Sequence, residues 1–232
     1  MKIIAIRIAL FSLTLLTAGP VSALTYNWVD WTTTTSASGA AVVSGNSTSE
    51  GETIDVTYTG NINFVQLGSG TDYYAPSSPY TDNDTIDNRP PPAEMISIVG
   101  GPASLTHTVV FSEPVVNPVM AIVSLGRPNT TVTYEFIDEV FTILSSGTGF
   151  WGGDANESLF QLTPSVLTGV EGHGVIQFSG VYSSISWEVP TGENWHGFTF
   201  GFESIAPVPV PAALPLMMMA LGVLGIFRRK PE

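Results

Sequence analysis

The sequence predicts an all-β protein: an antiparallel β-sandwich, jelly-roll-like in its strand number, between an N-terminal signal peptide and a single short C-terminal transmembrane helix. Three observations carry that expectation. Short runs of alternating apolar and polar residues recur through the middle of the chain, as strands with one buried face require. Glycine (23) and proline (17) punctuate these runs, and no helix-length 3.6-residue periodicity lies between the termini. Charged residues make up only 12% of the chain, against about a quarter in ordinary soluble proteins, which disfavours a helical bundle or coiled coil. With 44% apolar residues and no long block of like charge, the middle can bury a core.

The first element, residues 1–23, opens with Lys2 and Arg7, continues as an apolar run from Ile8 to Leu16 and ends on Val21-Ser22-Ala23. A basic start, an apolar centre and a small-residue finish are the parts of a secretory signal peptide, so signal peptidase is the first expected partner, cutting after Ala23. The apolar run falls far short of the ~20 residues that span a bilayer, so a retained anchor is the poorer reading.

Residues 24–206 form the expected exported domain. Alternation places strands over Thr25–Trp31, Thr53–Thr59, Leu105–Phe111, Thr131–Asp138, Gly174–Gly180, Ser183–Val189 and His196–Glu203. Val119–Leu125 (VMAIVSL) is apolar almost throughout, which suits a strand buried on both faces. Thr32–Ser49 reads as a loop or a polar hairpin, and Gly68–Ala93 as one long loop, a length that is uncommon unless functional or disordered. Short strands at such spacing argue for eight or more in two sheets. An immunoglobulin-like sandwich competes, and the length favours the jelly roll.

This domain keeps 19 of the 20 acidic residues but only Arg89 and Arg127 of the basic ones, a formal charge of −17 against −13 for the whole chain. Nucleic acid and anionic lipid are therefore excluded as partners, since phosphate binding needs clustered Lys and Arg. Cysteine is absent, so no disulfide can staple the domain and its core must suffice.

The last element, residues 207–232, begins with Pro207, Pro209 and Pro211, which hold the chain extended and accessible. Ala212 to Phe227 is apolar or small throughout, about 24 Å long as a helix against a bilayer core of ~30 Å. Arg228, Arg229 and Lys230 follow at once and should stay cytoplasmic, leaving the domain outside. Proline box, short apolar helix with Gly222 and Gly225, and basic terminus together resemble the PEP-CTERM sorting signal of Gram-negative bacteria. The usual box has Glu between its prolines. Here Val210 lies between Pro209 and Pro211, so the segment resembles the VPxPAA variant, continued by Ala212 and Ala213.

That resemblance implies arrest of the tail in the inner membrane and processing near Pro209, Val210, Pro211 and Ala212 by a membrane enzyme of the exosortase type. It also implies a final place at the envelope surface or in the extracellular matrix, in the company of extracellular polysaccharide. Phe111–Gly126 and Glu171–Gly201 also resemble segments that recur in exported domains of that family. The expected role is non-catalytic: matrix or adhesion, or carbohydrate binding.

Within the domain, three constellations could carry chemistry. Asp82, Asp84 and Asp87, beside Asn83 and Asn88, offer closely spaced oxygens of the kind Ca²⁺ accepts, though the EF-hand spacing is not met. A solvated acidic loop is the plainer reading. Tyr73, Tyr74 and Tyr80 flank that loop, and Trp151 and Trp195 sit among turn residues. Flat rings beside Asp and Asn are what a sugar surface needs, because pyranose faces stack while hydroxyls seek hydrogen bonds. Rings packing the rim of a core would look the same. Glu171, His173, Glu193 and His196 could form an acid–base set, which makes a secreted carbohydrate-active hydrolase the alternative. No H-E-x-x-H or G-x-S-x-G motif supports it.

Overall fold

The computed structural model describes residues 23–37, 40–49, 51–153 and 158–205. The expected signal segment before Ala23 lies outside them, as does the sorting segment with Pro209, Val210, Pro211, Ala212, Arg228, Arg229 and Lys230. Among the described residues no helix is long and apolar enough to cross a membrane.

Strand accounts for 59% of the described residues and helix for 2%, so they are all-β, as the alternating pattern predicts. The chain begins with β1 (Asn27–Trp28), β2 (Asp30–Ala37), β3 (Ala40–Ser49), β4 (Glu52–Gly60) and β5 (Phe64–Leu67). A single helical turn, α1 (Ser78–Thr81), precedes β6 (Glu94–Ile98), β7 (His107–Val116), β8 (Val119–Leu125) and β9 (Val132–Phe136). Then come β10 (Thr142–Gly147), β11 (Leu159–Thr163), β12 (Val166–Gly169), β13 (Gly172–Gln177), β14 (Val181–Glu188), β15 (His196–Phe202) and β16 (Ser204–Ile205). The polar segment from Thr32 to Ser49 is the β2–β3 hairpin and not a loop.

Two antiparallel sheets form the sandwich. One runs β10-β13-β8-β15-β6-β5, with β1 beside β15; the other runs β11-β12-β9-β14-β7-β4-β3-β2, with β16 beside β7. From β6 to β9 and from β12 to β15 the chain changes sheet at almost every step, so most of its connections cross the ends of the sandwich. Between the sheets lies a core of apolar side chains in which Trp31, Tyr58, Tyr134, Phe178, Trp187, Phe198 and Phe200 are fully buried.

The nine-stranded sheet keeps one wet face: β4 and β7 alternate buried with exposed or partly exposed positions. In the seven-stranded sheet, β6, β8 and β15 are buried along their whole length. The reason is the long segment between β5 and β6. It lies across the outer face of that sheet and buries Tyr74, Tyr80 and Ile86 against Met95, Ala121, Val123 and Val175. Hydrogen bonds fix it there, from Tyr74 Oη to the Glu94 carbonyl (3.1 Å) and from Tyr80 Oη to the Ile122 carbonyl (3.3 Å). A third layer of irregular chain thus covers what would be an exposed apolar face.

Candidate functional site

The acidic stretch of that covering loop does not gather into a cation site. Asp82, Asp84 and Asp87 are exposed, and among the described residues no group of three or more His, Asp or Glu could hold a metal ion. The structure thus does not bring the three carboxylates offered for Ca²⁺ into one such group. The asparagines between the acids carry the structure instead. Asn83 Oδ1 accepts from the backbone N–H of Thr85 (2.9 Å) and Ile86 (2.8 Å), and its Nδ2 donates to Ser145 Oγ (3.3 Å). Asn88 pairs with both backbone groups of Tyr26, at 2.7 and 2.9 Å, as a neighbouring strand would. These Asx contacts consume the turn-forming chemistry and leave Asp82 and Asp84 in water, while Asp87 Oδ2 accepts from Thr25 Oγ1 at 3.0 Å.

Tyr74 is corrected: it is 1% exposed, and a ring inside the protein cannot stack on a ligand. Tyr73, Trp151 and Trp195 do converge. Tyr73 packs edge-on against Trp195 (ring centroids 5.1 Å) and lies nearly parallel to Trp151 (6.4 Å, 27°). Trp151 meets Trp195 at 6.2 Å, and Phe150, unremarked in the sequence, touches both Tyr73 and Trp151 at 5.0 Å. Phe64 of β5 braces Trp195 from behind (5.1 Å). The cluster stays open to solvent: Trp151 is 52% and Phe150 40% exposed.

Beside these rings is a concavity of about 220 Å³ lined by Ser124, Gly126, Arg127, Trp151, Glu171, Glu193, Asn194 and Trp195. Ligand pockets for drug-sized molecules run to roughly 300–1,000 Å³, so this one suits a single ring or the end of a chain. Apart from Ser124, near the end of β8, its residues come from four connections at one end of the sandwich, β8–β9, β10–β11, β12–β13 and β14–β15, each of which crosses between the sheets. Gly126 makes the first of these turns with φ +78°, and a Cβ there would collide with the Gly169 carbonyl. Two residues that are not glycine also take left-handed backbone at the site, Ser124 (φ +56°) and Glu171 (φ +53°). Such strain is tolerated where surrounding contacts hold it, and it clusters at functional sites.

The carboxylates are held from within. Glu193 Oε1 accepts from Gly126 N–H (2.7 Å) and from His196 Nδ1 (2.7 Å), with both side chains almost wholly buried. Glu171 Oε2 accepts from Ser124 Oγ (2.8 Å). Burial pushes the Glu171 carboxyl above the usual carboxylate range; the Ser124 bond opposes this and the Glu193 charge adds to it. Of the proposed acid–base set the structure unites Glu171, Glu193 and His196. His173 is elsewhere, fully buried beneath Gly149 with Nδ1 3.3 Å from Tyr80 Oη, and burial lowers its pKa to about 4.

Sequence reasoning missed Ser124, Gly126, Arg127, Phe150 and Asn194. Phe150 and Asn194 adjoin Trp151 and Trp195, so the Phe-Trp-Gly-Gly and Glu-Asn-Trp-His strings held that signal. Ser124 and Arg127 carried none, because only the turn after β8 brings them across to the tryptophans. Compared with known proteins, the chain matches no family model, no curated protein and no solved structure.

Proposed function

We propose that this chain is an exported, non-catalytic saccharide-binding protein, delivered by its signal peptide and sorted to the envelope surface or matrix by its PEP-CTERM-like tail. One observation carries the binding reading: Tyr73, Trp151 and Trp195 converge beside a concavity that also presents Asn194, Arg127 and two carboxylates. Rings supply the stacking platform and the polar groups supply directional hydrogen bonds, the combination that a sugar ring demands. The size of the concavity supports recognition of one ring or a chain end.

The strand order supports a jelly roll in particular. In one sheet β13-β8-β15-β6 are neighbours and in the other β12-β9-β14-β7, which is the wrapping of paired strands across two layers that defines that fold. Its end loops are where this site is built.

The reading is tested by calorimetry of the full-length chain in detergent against a panel of neutral and acidic oligosaccharides. Binding that Trp195→Ala abolishes upholds it, and no binding across the panel overturns it. Hydrolysis is the second reading, favoured by the raised pKa of Glu171 beside Glu193. Release of new reducing ends, lost in Glu171→Gln, would put it in first place. Sorting is tested by mass spectrometry of released protein: a terminus near Pro209–Ala212 supports processing, whereas an intact Arg228-Arg229-Lys230 end rules it out.

A further inference from the structure

Resting on the saccharide reading of this concavity, we infer that its ligand bears a carboxylate, a uronic-acid-type sugar, and that Arg127 is the group that reads it. The exported domain has only two cationic side chains of the Lys/Arg kind, and they are used differently. Arg89 Nη1 is paired with Asp72 Oδ1 at 2.7 Å, within the same loop that carries Tyr73. Arg127 makes no ion pair among the described residues. Among the described residues its guanidinium makes one hydrogen bond, Nη1 to Asn194 Oδ1 at 3.5 Å, the outer limit of such a bond.

The backbone under Arg127 is nevertheless fixed. Arg127 and Thr130 exchange both backbone hydrogen bonds, at 3.0 and 2.8 Å, and Gly126 and Asn129 on either side take left-handed conformations. The two acids that share the concavity do not occupy Arg127, since Glu193 takes the Gly126 N–H and His196, and Glu171 takes Ser124. An exposed, anchored and unpaired guanidinium thus stands beside two tryptophans. Its planar fork matches a carboxylate bidentately, and sugar hydroxyls can be shared between Asn194 and the carboxylates.

The −17 domain charge opposes a polyanion at long range, but at physiological salt charges beyond about 8 Å are largely screened, whereas a direct forked contact is not. Recognition of a single uronate ring or chain end is what survives that balance.

The test compares trigalacturonate with its methyl ester, which has the same rings and no carboxylates, by calorimetry of the full-length chain in detergent. The free acid is expected to bind at least ten-fold more tightly. Arg127→Gln should erase the difference, weakening the free acid at least ten-fold more than the ester, and Arg127→Lys should restore part of it. Equal affinity for the two probes, with Trp195→Ala still abolishing both, overturns the carboxylate and leaves the saccharide site standing. Loss of both probes alike in Arg127→Gln also overturns it. Absence of trigalacturonate binding overturns it too, and the neutral members of the panel then decide whether the saccharide site survives.

Discussion

Two aromatic clusters of similar make-up lie in this molecule and do opposite things. Around Trp187, rings of Tyr58, Tyr134, Phe136, Phe198 and Phe200 lie 5.2–6.3 Å away, sealed between the sheets. Around Trp195, rings of Phe64, Tyr73 and Trp151 lie at nearly the same separations, yet the edge of that cluster is in water. Ring geometry alone does not tell them apart; what differs is which backbone holds them. Trp187 projects from a strand paired on both sides, whereas Tyr73, Trp151 and Trp195 come from three separate connections. Burying the first cluster stabilises the fold, while the second leaves apolar area uncovered that a partner can cover.

The largest expected effect separates the clusters by stability. Trp187→Ala should lower unfolding free energy by about 3–5 kcal/mol in urea titrations, because the cavity left between two sheets cannot collapse. Trp151→Ala, at 52% exposure, should change it by no more than about 0.5 kcal/mol. Equal losses at the two positions would break the contrast.

A second test uses the histidine inside the core cluster. His107 is stacked near-parallel to Trp187 (5.5 Å) and Tyr58 (6.0 Å), with Nδ1 2.7 Å from Tyr58 Oη and Nε2 3.0 Å from Ser104 Oγ. Burial, helped by the His196 charge, lowers its pKa to about 4 from the model-peptide value of 6.5. In the unfolded chain the imidazole takes up its proton as pH falls through 6.5, and in the folded chain only near 4. Stability from this group is therefore full above about 6.5, falls between there and 4, and is lost below. Between pH 7 and pH 5 the loss is about 2 kcal/mol. Glu94 runs the other way: burial raises its carboxyl to about 7, so its contribution falls as pH rises from 4.5 to 7. The measurement is thus a difference of slopes, and His107→Gln should remove about 2 kcal/mol of pH 7-to-5 destabilisation relative to wild type. Identical slopes would show that His107 is not held neutral by its surroundings.

At the rim, the same arithmetic applies to ligand instead of fold. Trp151→Ala should weaken saccharide binding by about 1–3 kcal/mol, the usual worth of a truncated aromatic anchor at a binding centre, as read by calorimetry. Loss of binding with unchanged stability in Trp151→Ala sharpens the contrast; retained binding breaks it.

Much of the sandwich was legible in the sequence. Val119–Leu125 is apolar without alternation and is a strand buried on both faces, and Thr53–Thr59 alternates and has one wet face. His196–Glu203 also alternates yet is buried throughout as far as Phe202, since its outward positions, Gly197, Thr199 and Gly201, lie beneath neighbouring chain such as Met95 and Trp28. Periodicity reports chemistry along one strand and is blind to what a distant loop lays over it. The candidate site shows the same limit: tryptophans announce themselves, but Arg127 and Ser124 acquire meaning only when the two sheets bring four connections to one end.

The smallest expected effect concerns the covering loop, where sequence drew attention to the wrong residues. Asn83 makes side-chain hydrogen bonds to Thr85, Ile86 and Ser145, and so ties the loop to itself and to β10. Asp84, one residue on, is exposed to water. Asn83→Ala should cost about 1–2 kcal/mol, since it strips acceptors from backbone N–H groups that are partly shielded from solvent, while Asp84→Asn should stay within about 0.5 kcal/mol in the same urea titrations. Were Asp84→Asn the costlier change, the acidic side chain would hold the loop and the division between structural asparagines and solvated aspartates would fail. If the division holds, the acids are free to set the field outside the domain, and the loop's stabilising role rests on neutral amides and on Tyr74 and Tyr80 beneath them.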